Sequence, residues 1–231
     1  TVFQETLLPR LHRLGIPEDR IRVIHQSVDF PERGDRDYRA GLGLSDDTPV
    51  ILMLGGLRQV KQMDYAIAVL KKIRRRHPTF QLLIAGPLLE PEATADLDEA
   101  LRVHPWIRYL GEVPRHQVPS LIEQSDLVLN TSSSESESNA ILEALSFGRI
   151  VIARDIPGNA HLGAGAAGLL FRNRTELERH LLDVLEQPER WPAVGKNAQR
   201  QIAAFHRPDR EMKAYASLYR KVSRASRRVR R

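Results

Sequence analysis

Residues 126–145 read Asp-Leu-Val-Leu-Asn-Thr-Ser-Ser-Ser-Glu-Ser-Glu-Ser-Asn-Ala-Ile-Leu-Glu-Ala-Leu, and this stretch decides the fold. Its first five residues form a short apolar run of strand length, and the small polar residues at 131–134 are typical of a loop. The apolar residues from 140 to 145 then recur at the spacing of a buried helix face. We therefore predict a buried strand, a loop and a helix that begins near Ser138.

The start of this helix suits a phosphate group. The first N–H groups of a helix have no intrahelical acceptor and carry partial positive charge. Glu143 lies one to two turns into the helix, where its two oxygens can accept hydrogen bonds from paired hydroxyls such as those of a ribose. The alternative is ordinary helix-end chemistry, in which Glu135 and Glu137 complement the helix dipole and Ser138 is a simple N-cap.

Further apolar runs of strand length occur at residues 50–54, 80–85, 106–110, 150–153 and 168–171. Helical patterns separate them, for example at 63–76 and 94–104. Alternating strands and helices imply right-handed crossovers, so we predict an α/β fold with a doubly wound parallel sheet, Rossmann-like in layout. Ligands of such sheets bind beyond the carboxyl ends of the strands.

The first of these runs ends in Gly55 and Gly56, which allow a backbone to approach a ligand closely. Arg58 and Lys61 follow, and two cations at this position would stabilise a diphosphate that gains charge as its bond to a sugar breaks. A glycine turn with basic neighbours is also common after strands, so this segment alone leaves both interpretations open. The chain has no Gly-Lys-Ser loop of the kind found in P-loop nucleotide triphosphatases.

The composition excludes several classes of function. The 231 residues include no cysteine, which rules out disulfides, thiolate chemistry and cysteine-bound metals. No apolar run approaches the length of a membrane-spanning helix, and the first residues lack a secretion signal, so we expect a cytoplasmic protein.

The net charge of +6 comes largely from arginine, much of it in the basic run at 224–231. Runs of this kind are usually solvated, but their charge also favours peripheral contact with an anionic membrane, which would place the protein at the inner membrane face. Nucleic acid is not an expected partner, because no nucleic-acid-binding signature accompanies the charge and aromatic residues are few.

Taken together, four motifs resemble those of the donor-binding half of retaining GT-B glycosyltransferases of family 4, also called glycosyl transferases group 1. Residues 26–29 read Gln-Ser-Val-Asp where that family has Asn-Gly-Val-Asp, and residues 55–61 match its Gly-x-Leu-x-x-x-Lys segment. The turn at 111–113 resembles the family's turn beside the base, and 135–143 fills its Glu-seven-Glu motif. The resemblance covers nearly the whole chain.

The resemblance implies a fold and a reaction. The chain would be the C-terminal half of a GT-B fold, and its substrate would be a nucleotide-sugar such as a UDP- or GDP-sugar, used without a cofactor or a divalent metal. Transfer to an acceptor hydroxyl would retain the anomeric configuration. The stretches at 153–159 and 168–171 also resemble proteins called glycosyltransferase 1 domain-containing.

The resemblance also assigns roles to residues. Arg58 and Lys61 would stabilise the departing diphosphate, and Glu135 would lie near the transferred sugar. Val113 would contact the base through its backbone, and Glu143 would bind the ribose. The donor-binding residues expected on this basis are Gly55, Gly56, Val113, Ser136, Ser138, Asn139, Ala140 and Glu143.

Glu137 departs from the family pattern. The first motif glutamate is usually followed by glycine and then an apolar residue, whereas Ser136 and Glu137 follow Glu135 here. A carboxylate at this position would repel a phosphate unless it points away from the site. One alternative is therefore a non-catalytic interaction module on a degenerate lobe, and a GT-B sugar-nucleotide epimerase is another.

The expected domain organisation follows from the same resemblance. Residues 1–30 would be a remnant helix and linker from the N-terminal lobe, 31–206 the donor-binding domain, and 207–231 the C-terminal helix and basic tail. The N-terminal, acceptor-binding lobe would be missing from this chain, so we expect the lobe to be inactive alone. Outside the sheet we predict a helix at 1–14, an isolated strand at 21–24 and helices at 175–185, 188–205 and 209–222.

Overall fold

The centre of the protein is a six-stranded sheet. The computed structural model describes residues 1–30, 34–91, 95–162 and 168–229. The strands are β1 (Val50–Leu54), β2 (Gln81–Ala85), β3 (Ile107–Tyr109), β4 (Leu127–Asn130), β5 (Ile150–Arg154) and β6 (Leu169–Phe171). They lie in the order β3-β2-β1-β4-β5-β6, and every neighbouring pair is parallel. The predicted doubly wound parallel sheet is therefore confirmed.

The strand order reverses direction between β1 and β4. From β1 the chain builds outward through β2 and β3, and from β4 it builds the other way through β5 and β6. At such a reversal the loops after the two central strands diverge and leave a crevice at the carboxyl ends. The loops after β1 and β4 carry most of the predicted site residues.

Helices cover both faces of the sheet. They are α1 (Leu8–Arg13), α2 (Tyr38–Gly41), α3 (Met63–Arg74), α4 (Ala95–Val103), α5 (Val118–Glu123), α6 (Asn139–Ser146), α7 (Arg174–Glu186), α8 (Trp191–Phe205) and α9 (Pro208–Val229). Ile51 and Met53 of β1 share a core with α3, α4 and α7, whereas Val50 and Leu52 share one with α5, α6 and α8. Because side chains alternate between faces and both faces are covered, β1 is apolar throughout.

The N-terminal segment differs from its prediction. The helix predicted at 1–14 is reduced to α1, preceded by a 3₁₀ turn at Glu5–Leu7. Val2 instead forms a single parallel bridge with Val23, which is all that remains of the strand predicted at 21–24. The Gln4 backbone is extended, and its buried side chain donates a hydrogen bond to the Gly158 carbonyl at 2.8 Å. These distant partners hold the first residues out of the helix.

The last helix, α9, is longer than predicted. It continues to Val229 rather than ending near residue 222, so most of the basic run is helical, while residues 230 and 231 lie outside the described residues. Neither glycine nor proline interrupts this run, and arginine and alanine favour helix. Met212, Tyr219 and Val222 on α9 are exposed. Among the described helices, none combines the length and the apolar character needed to cross a bilayer.

Candidate functional site

Hydrogen bonds join the loops that follow β1 and β4. Thr131 Oγ1 lies 2.8 Å from the Lys61 carbonyl oxygen and 3.1 Å from that of Gln62. The Ser133 N–H donates to the Val60 carbonyl at 2.9 Å. Gln62 has a φ of +48°, a left-handed conformation that is uncommon outside glycine, and the chain turns there into α3. These contacts fix Lys61 against the loop that leads to α6.

Lys61 and Glu135 form an ion pair in this crevice. Lys61 Nζ lies 2.6 Å from Glu135 Oε1, which also accepts hydrogen bonds from Ser132 Oγ at 2.7 Å and Asn130 Nδ2 at 3.2 Å. Burial favours the neutral carboxyl, but Lys61 and the two further donors outweigh it and hold the pKa of Glu135 below its usual value. Glu135 is therefore ionised at neutral pH.

Gly55 and Gly56 are constrained for different reasons, Gly55 by its backbone conformation and Gly56 by the side chain of Leu89. Gly55 has a φ of +135°, which L-residues rarely adopt, and an added Cβ would also contact Lys61 Cε at 3.7 Å. A Cβ on Gly56 would come within 2.4 Å of Leu89 Cδ1. Gly55 and Gly56 are both partly exposed, and the Leu89 side chain packs against Gly56.

Arg58 is the predicted site residue that the structure leaves apart. It precedes the 3₁₀ turn Gln59–Lys61, and its side chain is exposed. None of the salt bridges between described residues includes it. Its guanidinium is therefore exposed and unpaired among the described salt bridges, unlike the ammonium of Lys61.

Helix α6 opens into the crevice with two N–H groups available. Ser138 is the N-cap residue, but its hydroxyl lies 3.4 Å from Asn130 Nδ2 and does not cap the helix. The N–H groups of Asn139 and Ala140 precede the first intrahelical bonds, and no described residue accepts from them. Ser136 and Asn139 are exposed beside them. This arrangement can bind an anion, as predicted from the residues alone.

Glu143 lies further along α6 and pairs with Arg115, a residue that the sequence reasoning missed. Glu143 is 7% exposed as a residue, and the Arg115 guanidinium donates to Glu143 Oε1. Burial raises the pKa of Glu143, and Arg115 opposes that rise. Arg115 also donates to the Asp29 carbonyl at 3.2 Å and lies 4.2 Å over the ring of Phe30.

Arg115 connects the predicted base and ribose positions. It begins the 3₁₀ turn Arg115–Gln117, only two residues after Val113, which is partly buried against the core. The preceding turn, at 111–113, starts with Gly111, whose φ is +69°. The sequence offered one signal for this role, a basic residue just beyond the turn that follows β3. Its partner, Glu143, lies 28 residues further along the chain, so no local pattern indicated the pair.

The Glu137 carboxylate, just before α6, is buried and hydrogen-bonded to the N-terminal segment. The residue is 6% exposed, its Oε1 accepts a hydrogen bond from Gln4 Nε2 at 3.3 Å, and its Oε2 accepts one from the Gln26 N–H at 3.1 Å. Burial raises the pKa of this carboxyl, although Gln26 and Gln4 oppose the rise. Glu137 therefore links the N-terminal segment to the loop before α6. These hydrogen bonds reduce the repulsion between its carboxylate and a phosphate that the sequence predicted.

The chain also contains a Gly-x-Gly-x-x-Gly run at 163–168. In a dinucleotide site this motif follows a strand and opens a helix. Here it precedes β6, and residues 163–167 lie outside the described residues. Its position in the chain gives no support to a dinucleotide site.

A family model described as "Glycosyl transferases group 1" matches residues 35–201. Glycosyltransferase 1 domain-containing protein 1 of Xenopus tropicalis is 31% identical over 168 residues, which cover 72% of this chain and 49% of that protein. D-inositol 3-phosphate glycosyltransferase of Nocardia farcinica is 30% identical over 169 residues, 68% of this chain and 38% of that protein. The chain thus spans about half, or less, of the length of these relatives.

Solved structures agree in fold. Sucrose-phosphate synthase from Thermosynechococcus elongatus superposes with a TM-score of 0.85 at 20% identity, covering 97% of this chain and 58% of that one. Anabaena Alr3699/HepE in complex with UDP and glucose gives a TM-score of 0.81 at 19% identity, covering 96% and 62%. These neighbours are GT-B glycosyltransferases, and the sheet is the Rossmann-like lobe they share. Because the family model matches well over half of the chain, the protein belongs to the glycosyl transferases group 1 family.

Proposed function

We propose that this chain is the donor-binding lobe of a retaining, metal-independent glycosyltransferase that transfers a sugar from a nucleotide-sugar to an acceptor hydroxyl. The observation that carries the proposal is the junction of the two central loops. There Lys61 pairs with Glu135 at 2.6 Å, directly before the open N–H groups of α6. A cation, a carboxylate and a helix start in one crevice fit a sugar joined to a diphosphate.

In the proposed reaction the acceptor oxygen forms a bond to the anomeric carbon on the face from which the diphosphate leaves. The electron pair of the broken bond goes to the diphosphate oxygen, which also takes up the acceptor proton. Lys61, Arg58 and the N–H groups of Asn139 and Ala140 would stabilise the added charge. Since Glu135 already holds Lys61, the diphosphate would share that ammonium with it.

The nucleoside would bind at the other end of α6. Glu143 would accept hydrogen bonds from the ribose hydroxyls, and the backbone at Val113 would contact the base. Arg115 donates a hydrogen bond to Glu143, so it would have to share the carboxylate with the ribose or move from it. Structural neighbours solved with UDP and with UDP-glucose support a uridine diphosphate donor, with a guanosine diphosphate as the second choice.

The position of Glu137 weakens the alternative of a degenerate lobe, because that carboxylate is bound by Gln4 and Gln26.

We propose a cytoplasmic location, with the basic end of α9 in peripheral contact with anionic lipid. The chain alone would bind nucleotide weakly and turn nothing over, since the acceptor lobe would come from elsewhere.

Calorimetry with UDP, GDP and ADP on the wild-type chain and on Glu143→Ala tests the proposal. We expect UDP to bind and the variant to bind it about tenfold or more weakly, because the hydrogen bonds of ribose to a charged acceptor are lost. Addition of EDTA should leave the affinity unchanged. Binding of no nucleotide by a wild-type chain with a normal thermal unfolding transition would contradict the function, and a strict requirement for Mg²⁺ would contradict metal independence.

A further inference from the structure

Glu137 lies directly before the N-cap residue of α6 and supplies none of the donor contacts proposed above. No side chain caps this helix, and the Ser138 hydroxyl lies 3.4 Å from Asn130 Nδ2 instead. Local capping, which commonly fixes the first turn of a helix, is therefore not used here. Contacts from more distant parts of the chain have to hold the backbone that leads into α6.

The Glu137 carboxylate makes two such contacts, both with the N-terminal segment. Its Oε1 accepts from Gln4 Nε2 at 3.3 Å, and its Oε2 accepts from the Gln26 N–H at 3.1 Å. Gln4 is 3% exposed and Glu137 is 6% exposed, so water competes little for these hydrogen bonds. The residue before α6 is thus attached to residues that lie 133 and 111 positions away.

Gln4 also contacts the turn that follows β5. Its Nε2 donates to the Gly158 carbonyl at 2.8 Å, and its Oε1 accepts from Thr6 Oγ1 at 3.2 Å. Gly158 packs closely on Glu135, since an added Cβ would come within 2.2 Å of the Glu135 carbonyl oxygen. Gln4 therefore holds the loop before α6 at two places, directly at Glu137 and through Gly158 at Glu135.

Gln26 is held in turn by the start of α9. His206 Nδ1 lies 2.7 Å from the Gln26 carbonyl oxygen. The N–H and the hydroxyl of Ser27 both donate to Glu211 Oε2, at 2.8 and 2.5 Å, and Glu211 lies in the first turn of α9. The backbone at Gln26 and Ser27 is thus anchored to α9 on one side and to Glu137 on the other.

A buried carboxylate with two donors also stabilises a fold without reference to any ligand. The position of Glu137 gives it a more specific effect, because the N–H groups of Asn139 and Ala140 follow within three residues. Such donors stabilise an anion well only when they are already held in place before it binds. A displacement of residue 137 would be passed along the backbone to both N–H groups.

We propose that Glu137 is a positioning residue for the donor diphosphate, and that Gln4 and Gln26 act through it on the N–H groups at the start of α6. Diphosphate affinity then depends on the N-terminal segment, although that segment supplies none of the proposed donor contacts. The inference rests on the proposed function and extends it by naming what holds the anion-binding end of the site.

The test compares the binding of UDP with that of uridine, which lacks the diphosphate, by calorimetry and NMR titration. The variants are Glu137→Gln, Gln4→Leu and their combination. An amide nitrogen cannot accept, so Glu137→Gln leaves one of the two donors without an acceptor. The matched control is Asp126→Asn, since Asp126 also accepts from a backbone N–H, that of Val50 at 2.8 Å, but lies at the amino end of the sheet.

We expect the wild type to bind UDP about tenfold or more tightly than uridine. Glu137→Gln and Gln4→Leu should each narrow this ratio by about threefold or more, with uridine affinity unchanged. The combined variant should lose less than the sum of the two, because both substitutions break one linkage. Amide order parameters of Asn139 and Ala140 in the chain without nucleotide should fall in these variants but not in Asp126→Asn.

Equal weakening of UDP and uridine in Glu137→Gln, or the same narrowing in Asp126→Asn, would reduce Glu137 to general stabilisation of the fold. Unchanged order parameters at Asn139 and Ala140 in both single variants would overturn the positioning role whether or not UDP binds. If Glu137→Gln does not fold, Gln4→Leu decides the outcome by the same two measurements. Failure of UDP to bind the folded wild type refutes the proposed donor function separately.

Discussion

At the residue scale, the central finding is that each predicted carboxylate of the Glu-seven-Glu motif has a cation of its own. Lys61 forms an ion pair with Glu135, and Arg115 forms one with Glu143. The consequences differ, because the pKa of Glu135 is lowered while that of Glu143 is raised by burial that Arg115 only partly offsets. Of the two carboxylates, the proposed ribose ligand is therefore the one sensitive to acid.

Replacement of Arg115 by Gln should shift the pH dependence of UDP binding. Loss of the guanidinium removes the one charge that opposes burial at Glu143, so its pKa rises further. Only the ionised carboxylate accepts from both ribose hydroxyls, so affinity falls as pH drops through that pKa. Calorimetry over a pH series should show the fall beginning at higher pH in Arg115→Gln than in the wild type.

The control for this prediction is Glu143→Gln, alone and combined with Arg115→Gln. The phosphates of UDP titrate equally for every protein, so differences between profiles report on the chain. Arg115→Lys should restore most of the wild-type profile, because it returns a positive charge. A profile in Arg115→Gln that is lower at all pH values but unshifted would mean that Arg115 acts through packing on Phe30 alone.

Local sequence pattern was enough to assign the site's backbone features, but it could not assign directions to side chains. The helix start after Ser138 and the glycines after β1 were predicted, since both depend on neighbours within a few residues. The pairing of Arg115 with Glu143 and the attachment of Glu137 to Gln4 join residues far apart in the chain. No periodicity carries that information.

At the element scale, the carboxyl ends of β1 and β2 meet so closely that a glycine is required. Gly86, after β2, has a φ of +143°, and an added Cβ would come within 2.1 Å of the Gly55 carbonyl oxygen. The Gly86 N–H also donates to the Gly111 carbonyl at 2.8 Å, which joins the turn after β3 to the same junction. One small residue thus sets the spacing of three loops around the crevice.

Gly86→Ala should lower the free energy of unfolding by about 2–4 kcal/mol, since a strained φ and a steric clash add together. It should also weaken UDP binding, because the displaced backbone belongs to Gly55. Urea denaturation followed by circular dichroism measures the first effect and calorimetry the second.

Gly41→Ala is the matched control. Gly41 lies in α2, and a Cβ there has no heavy atom within 4 Å. This substitution should be neutral or stabilise the protein by about 0.4–1 kcal/mol, by restricting the unfolded chain. Equal unfolding midpoints for Gly86→Ala and Gly41→Ala would show that the junction is not tight.

Elements were predicted best where the pattern is long and both faces are buried. All six strands, and the helices predicted at 63–76, at 94–104 and from Ser138, occur within a few residues of their expected positions, because strand length and apolar spacing follow from burial on two faces. No bounds were predicted for α5, and the element described between β5 and β6 is a 3₁₀ turn, Pro157–Leu162. The helix at 1–14 was wrong for residues 1–7, where Gln4 and Val2 are held by distant partners. In these residues, tertiary contacts determine the backbone conformation more than helix propensity does.

At the scale of the whole molecule, positive charge is concentrated at one end of the chain. Five arginines fall within residues 224–231, against a net charge of +6 for the whole sequence. Most of this run continues α9, which also exposes Met212, Tyr219 and Val222. A helix with exposed apolar residues and a cationic end is suited to lie in the interface of an anionic membrane.

The chain should therefore bind vesicles that contain anionic lipid, and deletion of residues 224–231 should abolish that binding. Each basic residue near such a surface contributes about 1 kcal/mol, and salt screens this attraction. Co-sedimentation with phosphatidylserine-containing and with neutral vesicles, at low and high salt, measures the effect, and Met212→Ser/Val222→Ser separates the apolar from the ionic contribution. Equal binding to both vesicle types, or binding that survives the deletion, would assign α9 to contact with another protein surface instead.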